Sequence, residues 1–484
     1  VRFDAFTGGS YRSQSPLVDL QRTMNWYPEV IESQTGKNAR YALYPTPGVA
    51  LFATLPVGPV RGLYQINGRV FAVGGGHLYE LDSSGVPTRR SDAAGMASDT
   101  NPASMTSNGD AGSELGIASG GTFYLLNLSS NAFSAPATGG AITMLDFLDG
   151  YFLGLDATTS TLRVSELLDG TTWDVTQIAQ RNTGADRWIG MRVSNRLIYL
   201  WGNQTSEVWY NAGTSPFPFE AIQEAFMPYG IIGSFAHTDA GGGPLWIGAN
   251  KDGRGMVLKA EGYTPKRISD HAIEHQIQGY GTVSDIVAYS YQDQGHPFSL
   301  FSFPTANATH GFDDATGQWH ERGYWDQPVM AYRASRQLFH CFAFGKHLVG
   351  DRLGSGIYEM STAHYLDVNN DEIRRLRRAP HINQEQNWIS IPELTLDLET
   401  GVGTATGQGA NPQAMLRWST DNGRTWSNEY WAKAGKAGEY RQRVVWRRLG
   451  RGRDFVFEVI VTDPAPWRIA NCYLRLSGAQ QEAA

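Results

Sequence analysis

Apolar and polar residues alternate along this chain with a period of two, in short runs broken by turn-forming pairs. Val60 to Ile66 is followed by Asn67-Gly68, then Val70 to Val73, a glycine run and Leu78 to Leu81. That order predicts a strand, an Asn-Gly hairpin, a strand, a glycine turn and a strand. The phrase returns at Phe123 to Leu126, and at Met144 to Phe147 and Tyr151 to Leu153 across Asp149-Gly150. It returns again at Met191 to Val193 and Arg196 to Leu200 across Ser194-Asn195, and at Leu245 to Ile247 with Met256 to Leu258. Phe298 to Phe303 faces Gly311 to Asp313 with Trp319 closing the unit, and Leu338 to Phe344, Lys346 to Val349 and Ile357 to Met360 form the last. These units recur roughly every 35 to 50 residues, the period of four-stranded propeller blades. The expected fold is therefore all-β: a β-propeller of about six or seven blades over residues 56–370. Helical spacing is clear only from Ser269 to Gln278, with Ile273 and Ile277 four apart and Gly279 as a stop.

The flanks read differently. Residues 1–55 hold Pro16, Pro28, Pro45 and Pro47 with weak alternation, which predicts an extended N-terminal arm packed on its neighbours. A charge run, Asp371-Glu372 and then Arg374, Arg375, Arg377 and Arg378, ends at Pro380 and marks a boundary. Beyond it alternation resumes at Glu393 to Leu398, Ala414 to Trp418, Tyr440 to Trp446, Phe455 to Val461 and Cys472 to Leu476. Residues 371–484 thus read as a C-terminal β-sandwich-like domain.

Composition supports this picture and narrows the function. A length of 484 residues suits two or three domains, and 41% hydrophobic content excludes a disordered chain. The net charge of −7 lacks the basic excess of a protein that grips nucleic acid over a broad surface. Two cysteines, Cys341 and Cys472, make no disulfide framework and fit assembly in a reducing cytoplasm. The N-terminus carries no signal-peptide core. The longest uncharged run, Leu115 to Leu145, is studded with Gly, Ser, Asn and Thr, so strands and turns are expected there and no membrane insertion.

Candidate chemistry is sparse. His271-Ala272-Ile273-Glu274-His275 matches the inverted zinc-protease pattern on the one expected helix, where both histidines would share a face. The plainer reading is a linker helix whose isoleucines pack. Asp367 to Asp371 alternates oxygen side chains as a calcium loop does, but Glu372 stands where that loop needs Gly and Arg378 where it needs Glu. A polar turn is expected instead. No catalytic, cofactor or metal site is assigned.

Ser419-Thr420-Asp421-Asn422-Gly423-Arg424-Thr425-Trp426 resembles the Asp-box of sialidase propellers. Its physics is that of a structural turn: Asp421 accepts backbone N–H bonds, Gly423 takes positive φ and Trp426 packs beneath. Arginines cluster at Arg374, Arg375, Arg377 and Arg378, and again at Arg443, Arg447, Arg448, Arg451 and Arg453. In the second cluster one strand face is apolar and the other largely cationic. Arginine is favoured where carboxylates or phosphates are met, so both clusters are candidates for a subunit interface or a DNA channel, against a solvated face.

The run Leu416-Arg417-Trp418-Ser419, Asp421-Asn422-Gly423, Gly438-Glu439-Tyr440 and Arg443 to Arg451 resembles the packaged-DNA stabilisation proteins of short-tailed bacteriophages, also called tail hub or nozzle proteins. The likeness extends to Leu396 to Gly403, Trp319-His320-Glu321, Leu348 to Asp351 with Gly356 to Tyr358, Asn25 to Glu29 and Thr46-Pro47-Gly48. The resemblance implies a structural virion protein and no enzyme, made in the host bacterial cytoplasm and built into the tail. It implies a homohexameric ring below the portal and adaptor stack that retains packaged DNA and lets it pass on ejection. The partners implied are other copies of the chain, the adaptor or head-completion ring, a tail fibre or spike and, where present, a tail needle or plug. Transient non-specific contact with genomic DNA in the channel is implied as well. The alternative is a carbohydrate-binding or sialidase-like glycan-hydrolysing propeller.

Overall fold

The computed structural model describes residues 1–32, 40–99, 101–181, 184–239 and 242–477. Seven sheets close into a propeller. Blades 1 to 4 are four-stranded meanders beginning at Val60, Ser104, Met144 and Trp188, and blade 5 spans residues 230–267. Blade 6 is Val287–Asp293, His296–Phe303, Ala308–Asp313 and Gln318–Glu321. Blade 7 takes Gln337–Ala343, Lys346–Asp351 and Gly356–Ser361 from its own stretch of chain. Its fourth strand is Gly48–Thr54, paired antiparallel with Ile357 opposite Ala53 and Met360 opposite Val49. The N-terminal segment thus closes the ring.

Six blades carry a two-residue hairpin whose residues both have positive φ. They are Asn67-Gly68, Gly120-Gly121, Asp149-Gly150, Asn195-Arg196, Gln294-Gly295 and Phe344-Gly345. This is the turn whose twist matches that of the flanking strands, and Asn, Asp and Gly tolerate it best. The short helix His271–Gln278 lies after blade 5, capped by Asp270, whose carboxylate accepts from the Ile273 N–H at 2.8 Å. Ile273 and Ile277 are buried in the apolar cluster shared with Trp246, Phe301 and Trp319. No described helix is long and apolar enough to cross a membrane.

The C-terminal strands build a sandwich. One sheet holds Trp26–Val30, Tyr41–Pro45, Ile469–Ser477, Ile389–Leu398 and Val444–Arg447. Facing it are Arg375–Arg378, Asp454–Val461, Gln413–Ser419 and Tyr430–Lys433. Trp26, Leu394, Leu416, Trp446, Phe457, Trp467 and Phe6 meet in the apolar layer between them. Residues 1–55, expected as an arm, enter the sheets as strands.

The two domains share a sheet. Leu20–Met24 pairs parallel with the outer strand of blade 6, Met24 opposite Glu321, and antiparallel with Arg375–Arg378, Thr23 opposite Arg377. Blade 6 therefore continues into the sandwich as one sheet of eleven strands. At the junction Glu321 is buried and accepts from Arg22 Nε at 3.0 Å, Arg12 at 3.2 Å and Ser10 at 3.3 Å. Burial alone would raise the Glu321 pKa, but Arg12 and Arg22 hold it at about 2, well below its ordinary 4.5.

A depressed carboxylate stabilises the fold fully above its unfolded pKa and loses that contribution as pH falls through the folded value. The wild type should lose stability between about pH 4.5 and pH 2 partly through Glu321. Glu321→Gln should cost about 3 kcal/mol at pH 7, because it takes the carboxylate from mostly buried Arg22, while Arg12, a third exposed, keeps Gln276. It should also flatten the stability curve over that pH range in urea melts. An E321Q profile parallel to the wild type would contradict the assignment.

Candidate functional site

The first arginine cluster lies on Arg375–Arg378, a strand with a neighbour on each side. Arg375 and Arg377 are both fully buried, so neither reaches a partner or a channel, contrary to their expectation as interface or DNA contacts. Alternation put them on one face, and that face is covered by the N-terminal segment. Arg377 donates to the Phe6 carbonyl at 2.5 Å, the Gly9 carbonyl at 2.9 Å, the Thr23 hydroxyl at 2.7 Å and Gln21 Oε1 at 2.8 Å. It ties residues 6–23 to the sandwich. Arg375 faces the Thr46 carbonyl at 3.5 Å. Arg374 lies 4.4 Å over the Trp325 ring and 3.7 Å from Glu429.

Arg378 belongs to the Asp-box-like turn. Ser419 Oγ accepts from the Gly423 N–H at 2.8 Å, and Asp421 accepts from the Thr425 N–H at 2.8 Å and its hydroxyl at 2.6 Å. These bonds bring the Asp421 carboxyl down to about 2. Gly423 has φ +81°, and Trp426 Nε1 donates to its carbonyl at 3.1 Å. The Trp426 ring lies under Arg378 and Arg417, at 4.9 and 5.0 Å. Both arginines flank buried Glu458 in register and donate to it, Arg378 Nε at 2.8 Å and Arg417 Nε at 2.6 Å. The turn is a clamp on the shared sheet. That stacked Trp–Arg–Glu set was not visible in the turn motif, because Arg378 and Glu458 are distant in sequence.

The second cluster is on the surface. Arg443 and Arg447 expose about two thirds of their side chains, Arg447 donating to Glu393 at 3.0 Å. Arg448 is exposed, and Arg451 and Arg453 both lie over the Trp388 ring, at 5.0 and 5.3 Å. Trp388 was missed by sequence reasoning; its only signal is an isolated Trp in a polar loop.

The remaining motifs are structural. Glu274 of the helix is buried and engaged by Arg267 at 2.6 Å and Ser269 at 2.6 Å, while His271 and His275 face outward. Asp367 caps a short turn through the Val368 N–H at 2.8 Å and accepts from Gln337 at 3.0 Å.

The inner strands of the seven blades surround a chamber of about 320 Å³, lined by Tyr64, Met105, Asp146, Arg192, His237 and Asp239 among others. Asp146 accepts from the Val193 N–H at 2.7 Å, and burial raises its pKa. Burial, with Arg192 nearby, pushes His237 down to about 3, so it is neutral. Phe235 and Phe339 line both this chamber and a second of about 270 Å³ at the other end of the axis. Phe339 sits in a bulge with φ +59°, a conformation a bulky residue rarely adopts, which turns its strand at the axis. Both phenylalanines are half-buried where the two cavities adjoin.

The two arginine clusters should respond oppositely to mutation. Arg377→Met should cost about 3–5 kcal/mol, since it strands the carbonyls it serves. Arg453→Met should cost no more than about 1 kcal/mol, the scale of an exposed cation–π contact. Chemical denaturation of both variants checks the contrast, and equal losses would contradict it.

A family model for the β-propeller of bacteriophage P22 Gp10 matches residues 21–365, and a second, for its β-sandwich, matches residues 374–477. No curated protein matches. Among solved structures, the computationally designed Ika8 protein is 12% identical over 64% of this chain and 99% of its own, with a TM-score of 0.40. The N-terminal domain of Nup159 is 10% identical over 70% and 98%, with a TM-score of 0.41. BamB from Moraxella catarrhalis is 12% identical over 62% and 83%, with a TM-score of 0.39. The family matches run in order along most of the chain and divide it where blade 7 gives way to the sandwich; the chain belongs to the bacteriophage P22 Gp10 family, phage structural proteins built as a β-propeller followed by a β-sandwich.

Proposed function

We propose that the chain is a tail hub or nozzle subunit, which forms a ring below the portal and adaptor stack, retains packaged DNA and lets it pass on ejection. Family membership supports a virion part. The observation that carries the finer reading is the narrowness of the propeller axis. The chamber of about 320 Å³ on that axis is far too small for a duplex, whose major groove alone is about 12 Å wide. A path for DNA would then run between copies, as in a ring, and not through one propeller. The shared eleven-stranded sheet supplies the stiffness that such a building block needs. The adaptor ring above, a fibre or spike, and a needle or plug below are the partners this position implies, with DNA making only transient contact.

A glycan-hydrolysing propeller finds less support. The single Asp-box-like turn lies in the sandwich, and the described lining of the central chamber holds one arginine, Arg192.

Phage assembled without this chain should package DNA and then lose it, read as DNase-sensitive genome in purified heads. Heads that keep their genome without it would contradict the reading. Phe235→Ala combined with Phe339→Ala should leave ejection unchanged, because DNA does not use that axis. A marked change in ejection rate would put DNA inside the propeller.

A further inference from the structure

The sandwich sheet formed by Ile469–Ser477, Ile389–Leu398 and Val444–Arg447 buries one face, with Leu394, Leu396, Val444, Trp446, Cys472 and Leu474 all inside. Register then fixes what the other face shows. Val445 stands opposite Thr395, which stands opposite Tyr473; Arg447 stands opposite Glu393, which stands opposite Arg475; Arg451 stands opposite Ser390, which stands opposite Ser477. A bulge between Ser390 and Glu393 keeps both on the outer side. Tyr473, on the same face as these arginines, is 37% exposed. Arginine and tyrosine, the residues on this open face, are enriched at protein interfaces. Glu393 at the centre pairs with Arg447 at 3.0 Å, which offsets part of the positive charge of this face.

Charge is unevenly divided over the molecule. Residues 374–477 carry 16 Lys and Arg against 10 Asp and Glu, although the whole chain is at −7. Blades 2 and 3, residues 104–180, carry 8 Asp and Glu against a single basic residue, Arg163. Glu114 and Asp156 are buried and Asp146 lines the axial chamber, whereas Asp110 and Asp174 are exposed. The sandwich is joined to blade 6, and in a ring of seven blades the second and third lie farthest from the sixth. The positive and negative ends are therefore on opposite sides of one rigid body. Such a body associates head to tail, and a head-to-tail contact either closes into a ring or propagates as a fibre.

We infer that the outer sandwich face around Arg443, Arg447, Arg451 and Tyr473 docks on blades 2 and 3 of a second copy of this chain. This names the contact for the ring in the proposed function, and it rests on that reading.

Two variants of the full chain test it by sedimentation velocity, with circular dichroism to check folding. Arg447→Glu with Arg451→Glu reverses one side of the contact, and Asp110→Arg with Asp174→Arg reverses the other. Wild type should form a closed assembly, each variant alone should shift to monomer, and an equimolar mixture should reassemble because opposite charges meet again at every contact. Wild-type-like assembly of either variant alone, or a mixture that stays monomeric, would overturn the choice of faces while leaving the ring reading intact. A first variant that assembles normally but no longer shifts duplex DNA in a low-salt gel would give the face to DNA instead. Wild type that stays monomeric at every concentration, alone and with the tail stump, would overturn the ring reading itself.

Discussion

The strand Leu20–Met24 is the piece on which the rest of the molecule depends. It is hydrogen-bonded on one side to blade 6 and on the other to the sandwich, so neither domain has a free edge where they meet. Asn25 follows with φ +58°, its side chain donating to the Gly323 and Arg374 carbonyls at 2.8 and 2.9 Å and accepting from the Gly323 N–H at 3.0 Å. That single residue turns the chain from the shared sheet into Trp26–Val30 of the opposing one. Twenty residues further on, the same segment closes blade 7. Ring closure and domain fusion are thus made by one stretch of chain.

The charged groups at this junction follow from its burial. Glu321, Glu458 and Arg377 are each well served, with two arginines for each carboxylate and carbonyls, a hydroxyl and an amide for the guanidinium, whereas buried Arg375 has only the Thr46 carbonyl. Removing any one partner leaves a charge with no water to take its place. These sets act as registry devices: they hold the N-terminal segment at one position along both domains, where apolar packing alone would accept a slip. Fixing that position is also what keeps the positive sandwich and the negative blades at opposite ends.

The blades were legible from their alternation and, in blades 1 and 3, from the Asn67-Gly68 and Asp149-Gly150 hairpins; the blade 4 turn, expected at Ser194-Asn195, falls one residue later at Asn195-Arg196. The propeller followed by a sandwich was legible for the same reason. The shared sheet was not. Met24 and Glu321 pair across some three hundred residues, and no local pattern records a partner so distant. The same blindness misplaced the arginines. Arg375 and Arg377 alternate along their strand much as Arg443 and Arg447 do near theirs, yet the first pair is interior and the second exposed. Alternation tells which residues share a face and not what lies against it. The place of Phe235 and Phe339 beside the axis was equally hidden, since it arises only when seven inner strands converge.

Hydrogen exchange with mass spectrometry tests most directly whether propeller and sandwich are one body. The peptides to follow are those spanning residues 20–24, 318–321 and 375–378, beside peptides from the blade and sandwich cores. If the shared sheet holds as described, the junction amides exchange only with global unfolding, at the same slow rate as both cores. Junction amides that exchange quickly while both cores stay protected would mean two bodies on a hinge, and the account would be wrong.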